Sequence, residues 1–115
     1  RAIRCLQSLA IQRGVDQCGV VIIDDAPEDH DEATFLKEKA HQLFSPSRLT
    51  FINPGVRLGG MRNQWLAIKR VITNPESVVI LLDLDDCLLQ QSTSTDSVVE
   101  YLQKTYDSTD CMVTL

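Results

Sequence analysis

Two runs of consecutive apolar residues, each stopped abruptly by aspartates, constrain this chain most. Gly19-Val20-Val21-Ile22-Ile23 leads directly into Asp24-Asp25, and Val78-Val79-Ile80-Leu81-Leu82 leads into Asp83. Unbroken β-branched runs of this length suit strands buried on both faces of a parallel sheet, because alternation would be expected if one face met water. Helical patterns separate the runs. Residues 2–12 place Ile3, Leu6, Leu9 and Ala10 on one face and stop at Gly14; residues 31–44 place Phe35, Leu36, Ala40 and Leu43 inward and stop at Ser45-Pro46. Leu49-Thr50-Phe51-Ile52 reads as a short strand running into Asn53-Pro54-Gly55. Met61, Trp65, Ile68 and Ile72 recur at helical spacing, which predicts a core-facing stripe that includes the tryptophan. A final helix over 96–105, through Val98, Val99 and Leu102, and a closing strand at Cys111-Met112-Val113 complete the pattern.

The order αβαβαβαβ predicts an α/β fold: a three-layer sandwich with a mostly parallel open sheet. At 115 residues the chain is expected to form a single domain, 1–115. With 43% apolar residues it can bury a core. Ligands of such sheets bind beyond the carboxyl ends of the strands, so both acidic strand ends fall on the binding edge.

Charge narrows the partners. Eleven basic residues against sixteen acidic ones leave a net charge of −5, a poor match for nucleic acid or an anionic membrane. Nine of the sixteen acids crowd into 24–32 and 83–86. Such crowding needs a cation, a helix terminus or solvent to relieve repulsion. No apolar run approaches the ~20 residues that cross a bilayer, and no signal peptide opens the sequence. Cys5, Cys18, Cys87 and Cys111 form no CxxC pair and have no histidine at ligand spacing, which argues against zinc and for reduced thiols in a cytoplasmic protein. His30 and His41 read as surface residues. Membrane association is expected only through parts outside this chain.

Asp83-Leu84-Asp85-Asp86 is the sharpest chemical feature. Carboxylates at a strand end are hard oxygen ligands suited to Mg²⁺ or Mn²⁺, leaving positions for phosphate oxygens. The competing reading is a solvated loop with one aspartate capping the next helix. At the first strand end Asp24 and Asp25 are candidate ligands, whereas Asp29, Asp31 and Glu32 suit the cap and first turn of the following helix. Gly59-Gly60-Met61-Arg62-Asn63 opens the third helix with glycines and an arginine, a pattern that favours an anion.

In order and spacing, these segments resemble the family 2 glycosyltransferases with the A-type nucleotide-diphospho-sugar fold. Cys5 to Gln12 resembles the first helix of that family, Val20 to Asp29 its second strand and Asp-Asp turn, Asn53 to Asn63 its glycine turn and Arg-Asn, and Val78 to Leu88 the strand bearing the metal-binding DxD. Ala26-Pro27 stands where Gly-Ser is more usual. The resemblance implies a nucleotide-diphospho-sugar donor site, with Asp24 or Asp25 on the base, Arg62 near the base or diphosphate and Asp83 on the ribose or sugar. It also implies that Asp85 coordinates the metal with Asp83 and Asp86 assisting, for inverting transfer in a longer enzyme. It further implies a fold incomplete at both ends. A strand preceding the first helix would lie between the strands ending at Asp25 and Asp83, and a following half would hold the general base and the acceptor site.

Two other readings compete. Ile80 to Leu89 is similar to the first motif of haloacid-dehalogenase-like phosphatases, where Asp83 would be the nucleophile and Asp85 the general acid. A receiver-like signalling module would use Asp24 and Asp25 for Mg²⁺ and Asp83 as phosphate acceptor.

Overall fold

The computed structural model describes residues 1–26, 30–83 and 96–109. Within them lie four α-helices, α1 (Ala2–Ala10), α2 (His30–Leu43), α3 (Gly60–Val71) and α4 (Val98–Thr109), and two strands, β1 (Val20–Ile23) and β2 (Leu49–Ile52). A 3-10 turn, Val15–Gln17, links α1 to β1 behind Gly14, whose φ of 88° is the left-handed conformation glycine tolerates.

The strands pair in parallel, Val20 opposite Leu49 through Ile23 opposite Ile52. A β1-α2-β2 unit of this kind is what an apolar run, a helix and a second run must form when the strands are too far apart in sequence for a hairpin. Alternation along β1 sends Val20 and Ile22 to one face, where they join Leu6 of α1, Val15, and Ala40 and Phe44 of and beyond α2 in the core. α1 packs on α2 and α2 on β2, so both helices share that face. Val21 and Ile23 point to the other face, and α3 packs on β1. Ile52 is also buried but stands outside the first core cluster.

The coarse α/β expectation therefore holds, with two parallel strands and four helices among the described residues. Several finer expectations are corrected. Residues 78–82 carry no strand pairing, and Val78, Val79, Ile80 and Leu81 are each 43–53% exposed. A strand needs a ladder partner, and among the described residues β1 pairs with β2 alone. On α3 the expected core stripe faces out: Met61 is 86% and Trp65 62% exposed, while Asn63 is buried. The opposite face, with Asn63 and half-buried Ala67 and Val71, meets the sheet. Phe35, expected inside, lies half-exposed under the Lys39 ammonium, 5.6 Å from the ring centroid. Phe44, one residue beyond α2, is buried in its place.

α4 begins two residues later than the pattern predicts, at a reciprocal cap. The Ser97 N–H donates to Glu100 Oε2 at 2.8 Å, and the Glu100 N–H donates to Ser97 Oγ at 3.2 Å, satisfying two donors that a helix start leaves open. The predicted strand at 111–113, with Cys111, and Cys87 lie outside the described residues. No described helix is long and apolar enough to cross a membrane.

Candidate functional site

The carboxyl ends of β1 and β2 lie side by side, because the ladder ends with Ile23 opposite Ile52 and the Asp24 N–H donates to Ile52 O at 2.9 Å. Asp24 turns the chain at this edge. Its Oδ1 accepts from the Ala26 N–H at 3.1 Å, and its Oδ2 from Asn53 Nδ2 at 3.4 Å. Asn53 in turn accepts the Gly55 N–H at 2.8 Å, an Asx turn that the Asn-Pro-Gly sequence favours. Gly55, at φ 74°, supplies the left-handed residue of that turn.

Asp25 reaches across to the start of α3. Its Oδ1 accepts from the Leu58 N–H at 2.6 Å, its Oδ2 from the Gly59 N–H at 2.9 Å, and the Asn63 side-chain amide adds a third donor. The backbone N–H of Leu58 does most to hold the Asp25 carboxyl below its ordinary value of 3.8; Asn63, Gly59 and the positive charge of Arg57 act in the same direction. This carboxylate therefore sits where the helix end is most positive. Gly59 precedes α3 at φ 79°, ψ 162°, a region open in practice only to glycine. The α3 start is fixed by these two features together.

Asn63 donates toward Asp25, but its Oδ1 is buried with no hydrogen-bond partner among the described residues. Arg62, in the first turn of α3, is exposed beside this edge. Asp83 is described and exposed, at the end of the unpaired 78–83 segment. Asp85 and Asp86 lie outside the described residues. Among the described residues no three His, Cys, Asp or Glu side chains come together to hold a metal ion, so the described part alone does not assemble a metal centre.

The structure thus brings Asp24, Asp25 and the turn before Arg62 to one sheet edge. It also separates two acids that look equivalent in sequence: Asp25 is committed to α3, and Asp24 to the two turns. The partners Asn53 and Asn63 carry no role in the sequence reading. For Asn53 the signal was available, since Asn-Pro-Gly marks an Asx turn; for Asn63 it was not, because a place opposite the Met61-Trp65 stripe predicts exposure and Asn63 is buried.

Compared with known protein families, curated proteins and solved structures, the chain matches none.

Proposed function

We propose that this chain is the donor-binding core of a glycosyltransferase-like domain. In this reading it takes a nucleotide-diphospho-sugar with Mg²⁺ or Mn²⁺ and serves inverting transfer in a longer enzyme. Its finer fold would be a three-layer sandwich with a mostly parallel sheet. One observation carries the reading. Asp24, Asp25, the glycine turn and the Arg62 end of α3 share the carboxyl edge of a parallel sheet, held there by the Asp25 bonds to Leu58 and Gly59.

The roles follow from how each group is engaged. Asp25 accepts three donors at the α3 start and Asp24 two at the turns, so contact with the nucleobase falls to the less engaged Asp24. Arg62 and the remaining first-turn amides of α3 offer positive charge to a diphosphate. Asp83 would reach the ribose or sugar, and Asp85 with Asp86 would hold the cation through hard oxygen donors. When bound, that cation supplies Lewis-acid neutralisation of the diphosphate leaving group. No residue of this chain is assigned as the general base.

Thermal unfolding with uridine or guanosine diphosphate, with and without Mn²⁺, tests the proposal. The expected result is stabilisation by nucleotide that requires the metal and disappears in Asp85→Ala. Stabilisation by beryllofluoride without nucleotide would overturn it in favour of an aspartyl-phosphate chemistry at Asp83.

A further inference from the structure

α3 has two unlike sides. At about 100° per residue, Asn63, Ala67 and Val71 share the side that meets the sheet, while Met61, Trp65, Ile68, Lys69 and Arg62 fall within an arc of roughly 120° on the other. Met61 is 86%, Trp65 62% and Ile68 37% exposed. The Lys69 ammonium lies 5.1 Å from the Trp65 ring centroid. Three large apolar side chains on one convex helix are thus left in water with cations beside them.

The sign of the charge changes over the same stretch. Residues 53–75 hold Arg57, Arg62, Lys69 and Arg70 and no aspartate or glutamate, whereas the rest of the chain sets seven basic residues against sixteen acidic ones. All four cations are exposed. The net charge of −5 therefore averages over a divided surface. At physiological ionic strength a charge is felt over about 8 Å, so the local sign and not the total governs what α3 attracts. The carboxylate of Asp25, the acid tied to the start of this helix, is occupied by the Leu58 and Gly59 N–H groups.

The outer side of α3 is not an unfinished part of the sheet. In a three-layer arrangement further strands lie beneath the helix, on the side of Asn63 and Ala67, which leaves Met61 and Trp65 outermost. A nucleic acid would engage the cations but gain little from Met61 and Ile68, and a protein partner would have to present a groove shaped to a helix of twelve residues. A bilayer of anionic lipid matches both parts of the face without any matching shape. Indole and thioether enter the boundary between headgroups and acyl chains, and long cationic side chains reach the phosphates.

We propose that the outer face of α3 docks this chain on an anionic lipid bilayer, the helix lying in the plane of the surface. Met61, Trp65 and Ile68 insert, and Lys69 sits at the headgroups, flanked by Arg62 and Arg70. The contact goes beyond the donor-site reading and does not rest on it, since neither nucleotide nor metal takes part.

The single tryptophan reports the contact. The whole chain is mixed with vesicles of phosphatidylcholine, alone or with phosphatidylserine, in the absence of nucleotide and metal. With the anionic vesicles Trp65 emission should shift to the blue and escape iodide, the chain should sediment with the lipid, and added salt should release it. Lys69→Glu is expected to weaken sedimentation at least about fivefold, the worth of a single charge at such a surface. Lys37→Glu makes the same change of charge at an exposed position of α2 and is expected to weaken it by less than about twofold. Trp65→Ala should also bind less, with circular dichroism confirming its fold; should it unfold, Lys69→Glu decides. Unshifted Trp65 emission with anionic vesicles overturns the proposal, as does equal binding to neutral vesicles or an equal loss in Lys37→Glu and Lys69→Glu. A shift produced by RNA or polyglutamate and not by vesicles also overturns it, and assigns the face to an acidic macromolecule.

Discussion

Truncating the single tryptophan discriminates sharply between a helix read by periodicity and the helix as it packs. Trp65 is 62% exposed, with the Lys69 ammonium 5.1 Å from its ring centroid. Removing a fully buried aromatic costs about 3–5 kcal/mol. With little more than a third of the residue covered, Trp65→Ala should cost ~1–1.5 kcal/mol for packing, plus roughly 0.5 kcal/mol for an exposed cation–π contact. Leu6, 1% exposed in the core between α1, β1 and α2, is the reference. There Leu→Ala should cost about 3 kcal/mol or more, since the cavity left behind adds to the lost transfer energy. For a urea dependence of about 2 kcal/mol/M, the midpoints fall by ~0.75–1 M for Trp65→Ala and ~1.5 M for Leu6→Ala. Far-ultraviolet circular dichroism follows both variants without relying on the indole. In the wild type, iodide should quench Trp65 fluorescence freely. A Trp65→Ala loss equal to that of Leu6→Ala, or an indole shielded from iodide, would refute the outward placement of the Met61-Trp65-Ile68 face.

Two further outcomes follow from the sheet edge. The Asp25 carboxyl is held below 3.8 by its donors, so the folded state takes up that proton less readily than the unfolded chain. Its stabilisation is complete above about pH 4 and is lost as pH falls through the lower folded value. Asp25→Asn should therefore lower the melting temperature at pH 7 and flatten its decline below pH 4, and parallel pH profiles would contradict the ties to Leu58 and Gly59. Gly59→Ala meets no atom within 4 Å, so its cost is backbone strain alone, about 1–3 kcal/mol, measurable by urea unfolding. A cost near zero would mean that α3 starts in some other conformation.

Periodicity was a good guide where one face of an element meets one neighbour. α1, α2 and β2 emerge within a residue or two of their patterns because their apolar positions converge on one core around Leu6 and Ala40. It failed for α3, where a second, less apolar face was chosen. Asn63 donates toward Asp25 across a gap of 38 positions, and no local pattern reports such a bond. It failed again at 78–82, since composition marks a segment as fit for a strand but does not supply a ladder partner. Within the site, the sequence identifies Asp24 and Asp25 as a pair at a strand end. Their division of labour depends on which way each carboxylate turns from the end of β1, which only the backbone path decides.

The bond from Asp25 to the Leu58 N–H spans 33 positions of chain. Closing a loop of that length from an unfolded coil is entropically unfavourable, and the difficulty grows with the logarithm of the intervening length. Once Ile23 and Ile52 stand opposite each other, the remaining path from Asp25 to Leu58 shrinks to roughly eight residues, so most of that closure has already been met by the strands. The α3 tie is thus favoured to form after the β1–β2 ladder. The loop from Asn53 to Gly59 then reports sheet formation, ordering only when both strands are home.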